Sequence, residues 1–227
     1  MISELRLPPS QGLARICFVV VAAMVTFLAG ACADSTPEVR ALEAEAAYSR
    51  GVELREQGQL QNAFDEFNEA LHLNPRYAEA YSARASVYYA FGDEAKTISD
   101  LNSALRLNPD VAEAYYYRGL IHIAKGNSDD AVTNLTRALQ LDPEMTDAYY
   151  GRARVYFALQ DLDAALGDLT SAIEVEGNAA QLFFLRGQVY LMAEETEKGI
   201  ADIEHTLELT DDEELAARAK ELLALFR

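Results

Sequence analysis

The chain has 227 residues, 37 of them acidic and 19 basic, for a formal net charge of −18. That excess repels phosphates, which argues against nucleic acid and against anionic lipid headgroups as partners. The only cysteines are Cys17 and Cys32, too few for a disulfide framework.

Residues 1–31 read as a signal peptide. Arg6 and Arg15 precede an uncharged run from Ile16 to Ala33, and Asp34 is the next charge. The apolar centre of that run, Ile16 to Ala29, has the character of a secretory h-region, and the small residues Ala29, Gly30 and Ala31 form a cleavage site before Cys32. The stretch Leu28–Ala29–Gly30–Ala31–Cys32 resembles the lipobox of bacterial lipoproteins. That resemblance implies cleavage before Cys32 and a diacylglyceryl group on its sulfur; Ala29 stands where the family favours leucine. The alternative is an uncleaved signal anchor, since the run is at the lower limit of a membrane-spanning helix. In both cases the arginines stay inside and the rest of the chain is delivered outside the cytoplasm. Removing residues 1–31 leaves a mature charge of −19. Residues 32–43 are then a lipidated N-terminus and short linker. The part from Ala33 to Ala41, at ~3.4 Å per residue, reaches about 30 Å and keeps the rest of the chain close to the membrane.

From residue 44 to residue 213 one pattern returns every 34 positions, in segments 44–77, 78–111, 112–145, 146–179 and 180–213. Pro75, Pro109 and Pro143 are in register, with Gly177 and Asp211 at the same place later. An arginine recurs at Arg50, Arg84, Arg118, Arg152 and Arg186, always followed by a small residue: Gly51, Ala85, Gly119, Ala153, Gly187. A second small or short position follows at Ala70, Ala104, Ala138, Ala172 and Thr206. Apolar residues at helical spacing, such as Leu101, Ala104 and Leu105, predict two helices per segment. Gly58, Gly92 and Gly126 break the pair where a positive φ is needed, and the X–Pro steps end the second helix. No segment can bury its apolar face alone, so stability must come from stacking neighbours.

Sixteen residues after each recurrent arginine stands Glu66, Asp100, Asn134, Asp168 or Asp202. The spacing predicts an arginine–carboxylate contact between the two helices of a repeat, reduced to a hydrogen bond at Arg118 and Asn134. Five copies argue for a structural staple rather than a ligand site. Residues 214–227 predict a capping helix with Leu215, Ala219, Leu222, Leu223 and Phe226 on one face and Arg218 and Glu221 outward. Thr210, three residues before Glu213, reads as its capping box.

The period and its residues resemble the tetratricopeptide repeat family. Ala63, Phe67, Ala70 and Pro75 carry the likeness in the first repeat. Tyr115, Gly119, Gly126, Ala131, Leu135, Ala138 and Pro143 carry it in the third. Tyr149, Ala153, Tyr156, Ala165, Leu169 and Ala172 carry it in the fourth. The second repeat has Thr97, and the fifth Gly199, where the family prefers alanine. The resemblance implies an all-α fold, a right-handed α-solenoid of five helix-turn-helix repeats with a C-terminal capping helix. It also implies a concave groove lined by the second, fifth, ninth and twelfth residues of each first helix. Here the groove candidates are Tyr48, Tyr116, Leu120, Tyr150, Arg154, Phe184 and Gln188. Tyr81, Tyr115, Tyr149 and Phe183, one position before the fifth, are expected to pack between repeats. The lysines and asparagines with which co-chaperones of this family clamp a carboxylate are missing, Arg154 being the one cation among the fifth and ninth positions.

Chemistry-bearing motifs are absent. His72, His122 and His205 share no metal-ligand spacing, the glycines are repeat punctuation, and no serine sits in an elbow motif. No cofactor, metal or catalytic residue is expected, and the chain is not read as an enzyme. Aromatic groups with polar neighbours along a groove suit a peptide or helix of another protein. The reading is an extracytoplasmic scaffold in the bacterial cell envelope, anchored to the membrane through Cys32. Lipoproteins of this build resemble adaptors of envelope machines, such as pilus or secretin assembly factors, and protease adaptors. A small-ligand-binding or catalytic lipoprotein and a structural spacer are the alternatives.

Overall fold

The computed structural model describes residues 36–226; the expected signal peptide and Cys32 lie outside the described residues. Contacts divide the chain after Arg40, and Ala41–Arg227 carries the repeats. The described residues form eleven helices and no strand. They are α1 (Pro37–Glu56), α2 (Leu60–Leu73), α3 (Ala78–Ala90), α4 (Glu94–Leu107), α5 (Ala112–Ala124), α6 (Ser128–Leu141), α7 (Thr146–Ala158), α8 (Leu162–Val175), α9 (Ala180–Met192), α10 (Thr196–Leu209) and α11 (Glu213–Leu225). No helix among the described residues is long and apolar enough to cross a membrane.

The first helix begins earlier than the repeat register implies, inside the stretch expected as linker. Pro37 opens it, at the one helical position where a fixed φ and a missing N–H cost nothing. The Val39 N–H donates to Thr36 Oγ1 at 3.4 Å, a local N-cap. An alanine-rich sequence then favours helix as far as the repeat proper.

The first three repeats end on the same local chemistry. The residue that ends a second helix donates its N–H to the carbonyl of the recurrent short position, Asn74 to Ala70, Asn108 to Ala104 and Asp142 to Ala138, each at 2.8 Å. Their side chains then accept the N–H two residues on, from Arg76, Asp110 and Glu144, which closes an Asx turn across the proline. Between the two helices of a repeat the chain passes through positive φ at Gly58, Gly92 and Gly126, as the glycine pattern predicts. Repeats four and five keep the turn without glycine, with Gln160 at φ 62° and Glu194 at φ 63°.

The core runs along the axis of the array. Phe67, Leu101, Leu135, Leu169 and Ile203 are fully buried, and burying such a side chain is worth about 1.5–3 kcal/mol. Each stands sixteen residues after the recurrent small position. A Cβ added at Gly51 would lie 2.5 Å from Phe67 Cε1, which explains why nothing larger fits there. Tyr81 and Tyr149 each pack against two core clusters and so bridge neighbouring repeats.

Four of the five staples form as expected. Arg84 donates through Nε and Nη2 to Asp100 at 2.7 and 2.9 Å, Arg152 to Asp168 at 2.8 and 2.7 Å, and Arg186 to Asp202 at 2.7 and 2.9 Å. Arg50 reaches Glu66 at the exposed end of the array. The Asp168 contact, opposed by burial, raises the pKa of Arg152, so the cation is firmly held. The third staple departs from expectation. Asn134 turns its amide to donate to the Asp130 carbonyl at 2.8 Å. Arg118 is left over the Tyr115 ring with no hydrogen-bond or ion-pair partner among the described residues. An amide can satisfy its own helix backbone and lacks the charge that would draw in the guanidinium.

Helix α11 closes the end of the array, burying Ala219 and Leu223 against Ile203 and Phe184. Its cap is Asp212, whose carboxylate accepts from the N–H groups of Glu214 and Leu215. Thr210 is not that cap: its Oγ1 accepts from the Asp212 N–H at 3.1 Å and shapes the turn before it.

Successive first helices touch one another, α3 with α5, α5 with α7 and α7 with α9. No comparable contact joins α4, α6, α8 and α10 among the described residues. The array therefore curves toward the first helices, and their shared face is the concave one.

Candidate functional site

The concave face divides into a closed and an open stretch. In the first three repeats it is filled by the protein's own side chains. Arg55 Nη1 on α1 donates to Ser86 Oγ on α3 at 2.8 Å and to Glu113 Oε1 on α5 at 2.5 Å. Ser86 Oγ in turn donates to the Ala83 carbonyl at 2.6 Å. Burial opposes the Arg55 charge, but the Glu113 carboxylate outweighs it and the pKa stands above the ordinary value. Tyrosines pack around this bridge: Tyr89 lies 5.5 Å from Tyr117, and Tyr116 5.1 Å from Tyr117, centroid to centroid. Burial, aided by Glu113, pushes the Tyr48 phenol up to about 12. Burial and Asp147 raise Tyr116 further still.

Of the candidates in this stretch, Tyr48 and Tyr116 are partly buried and face other tyrosines or Phe67. Leu120 is partly buried one helical turn beyond Tyr116. Ser82, the fifth-position residue of the second repeat, is fully buried.

The open stretch lies on α7 and α9, beneath α11. A cavity of about 490 Å³ is walled by Tyr150, Arg154 and Gln188 on one side and by Leu215 and Arg218 on the other. The Arg154 guanidinium lies 5.8 Å from the Tyr150 ring centre, and that of Arg218 5.0 Å from the Phe184 ring centre. The structure thus brings Tyr150, Arg154 and Gln188, three of the groove candidates, to one cavity.

Phe184 does not behave as a groove side chain. It is 6% exposed and packs with Ile203, Ala219 and Leu223 in the core under α11, giving only an edge to the cavity. The apolar face of the capping helix packs on the ring through Ala219 and Leu223 and covers it. Arg218, expected to face solvent, is exposed and at the same time forms a wall of the cavity. Only its spacing from the buried Ala219 and Leu223 could have signalled that it lies on the concave side.

No group of three or more His, Cys, Asp or Glu residues among the described residues could hold a metal ion. His122 lies 3.6 Å from Asp130, and His205 pairs with Glu208 at 2.8 Å on one face of α10.

A family model described as the ETO1 C-terminal domain matches residues 2–195, well over half of the chain. The chain belongs to this family of tetratricopeptide repeat proteins. No curated protein matches it by sequence. Among solved structures, the chain is similar to pilF of Pseudomonas aeruginosa, with a TM-score of 0.70 and 16% identity over 82% of this chain and 86% of that one. It is also similar to TTC0263, a thermophilic repeat protein of Thermus thermophilus, with a TM-score of 0.64 and 21% identity over 80% and 99%. YrrB, described as a repeat protein with an unusual peptide-binding site, aligns with a TM-score of 0.57 and 23% identity over 77% and 90%. At these identities the likeness concerns the fold, an all-α helical repeat array.

Proposed function

We propose that this protein is a scaffold that binds a segment of another protein on the C-terminal half of its concave face. The observation that carries this reading is the contrast along that face. Arg55, Ser86 and Glu113 fill the first three repeats, whereas Tyr150, Arg154 and Gln188 border a cavity large enough to take side chains of a partner. Aromatic and arginine contacts at the centre of an interface usually dominate its binding energy. The test compares membrane-extracted partners of the full-length wild type with those of Tyr150→Ala. Loss of the same partners, with an unchanged melting temperature, supports the groove. Unchanged capture, in Tyr150→Ala and Arg154→Ala alike, favours a structural spacer.

The setting we propose is the outside of a bacterial membrane, with the array tethered through lipid on Cys32. The small residues before Cys32 and the arginines before the apolar run support it. Held there, the array would serve an envelope machine such as a pilus or a secretin, or bring substrates to a protease. The mass of the mature N-terminus tests the tether. A chain starting at a diacylated Cys32 is expected, and Cys32→Ala should leave the precursor uncut. A wild-type protein that retains Met1 overturns lipidation in favour of a signal anchor.

A further inference from the structure

We propose that the segment recognised in the open stretch is acidic, and that its carboxylate side chains seat between Arg154 and Arg218. The inference rests on the groove reading above and specifies its partner. Acidic residues outnumber basic ones almost two to one in this chain, and most arginines turned toward the array are already paired. Arg50, Arg55, Arg84, Arg152 and Arg186 each hold a carboxylate. Arg154 and Arg218 do not: neither has a hydrogen-bond or ion-pair partner among the described residues. They come from distant parts of the chain, α7 and α11, yet border the same cavity.

Each guanidinium instead lies over an aromatic ring, Tyr150 for Arg154 and Phe184 for Arg218, within cation–π range. A cation–π contact of this kind leaves the N–H groups of the guanidinium available to donate, and a guanidinium fork suits bidentate carboxylate binding. Two acidic side chains also border the cavity. The Asp212 carboxylate is engaged in capping α11, accepting from Glu214 and Leu215 N–H. Glu214 is exposed where it lines the cavity. Neither meets the arginines. The remaining wall is apolar at Leu185 and Leu215 and amide at Gln181 and Gln188. Such a lining matches a ligand that combines carboxylates with carbon and backbone amide groups. A peptide segment supplies all three, and an inorganic anion supplies only charge.

The test is selection of short random peptides on the full-length protein in detergent. Both peptide ends are fused, so no terminal carboxylate is present. Selected sequences are then made as free peptides with blocked ends and measured by fluorescence anisotropy. Enrichment in Asp and Glu is expected. Binding should fall about 5–150-fold with Arg154→Ala or Arg218→Ala and be partly kept by the lysine variants. Exchange of the peptide's Glu for Gln should weaken binding similarly, and added salt should reduce it. If the selected peptides are neutral or basic and respond to Tyr150→Ala but to neither arginine, the acidic partner is wrong and the groove stands. The acidic partner is equally wrong if acidic peptides bind the Arg154→Ala/Arg218→Ala double variant unchanged. If no peptide is enriched, or Tyr150→Ala alters nothing, the groove reading fails and this inference fails with it.

Discussion

Arg55 and Glu113 meet at 2.5 Å although 58 residues separate them, and the contact joins the first repeat to the third across the concave face. Nearest-neighbour stacking is the usual rule in repeat arrays, so this pair adds a link that skips a repeat. Its side chains are 25% exposed on both sides. A double-mutant cycle with Arg55→Ala and Glu113→Gln should give coupling of about 0.5–3 kcal/mol. Near-zero coupling in urea melts would mean the bridge contributes no cooperativity.

The recurrent staples allow an internal comparison. Arg152 and Asp168 should couple by about 0.5–3 kcal/mol, since both are largely buried. Arg118 and Asn134 should show almost none. Asn134→Asp restores the missing carboxylate and should stabilise the array by about 0.5–1.5 kcal/mol. A loss of stability on that substitution would show that the Asn134 bond to the Asp130 carbonyl matters more than a fifth ion pair.

Three aromatic truncations separate core from groove. Phe184→Ala empties a buried site under α11 and should cost about 3–5 kcal/mol. Tyr149→Ala, which bridges two core clusters, should also lower the melting temperature clearly. Tyr150→Ala should cost least, because its ring borders the cavity. Should Tyr150→Ala melt as early as Tyr149→Ala, the ring is a packing element and the groove loses its main support.

The turns at Gln160 and Glu194 hold a left-handed backbone that side chains rarely adopt. Gln160→Gly and Glu194→Gly relieve that strain while adding some flexibility to the unfolded chain. Each should gain about 0.5–1 kcal/mol, read as a shift of the unfolding midpoint. Equal stability of variant and wild type would show that the unfolded-state entropy cancels the relief.

Alkali should weaken the fold through Tyr48 on the concave face. The folded pKa of Tyr48, about 12, exceeds the ordinary value near 10, so the fold favours the neutral phenol. Its contribution is complete below about pH 10 and is lost as pH rises toward about 12, where the unfolded chain releases the proton first. Allowing for partial exposure, the loss is about 1–2 kcal/mol. Tyr48→Phe should flatten that decline in denaturant melts across this range, and an unaltered profile would assign it to other groups.

What could be read from the residues tracks the repeat period. The helices, the turns at Gly58, Gly92 and Gly126, and four staples all depend on spacings that recur. Contacts without a period were invisible. Nothing near Arg55 distinguishes Glu113 from the other carboxylates. Of the fifth-position residues, Tyr150 borders the cavity, whereas Phe184 is buried because the last repeat meets a capping helix and not another repeat. Arg218 belongs to that same helix, and its role depends on how α11 is laid down, which no local pattern encodes. Spacing alone favours Thr210 over Asp212 as the cap of α11, because two oxygen-bearing residues stand two positions apart in the short connection before it.

Helix α11 seals the last repeat and also supplies one wall of the cavity. Local opening of the C-terminal end, where Ala219 and Leu223 come away from Ile203, therefore dismantles the wall that Arg218 forms. Any ligand held between α7 and α11 must shift that opening equilibrium toward the closed form by its own binding free energy. Occupancy would then register as slowed amide exchange in α10 and α11, far from the amino-terminal repeats, which have no part in the contact.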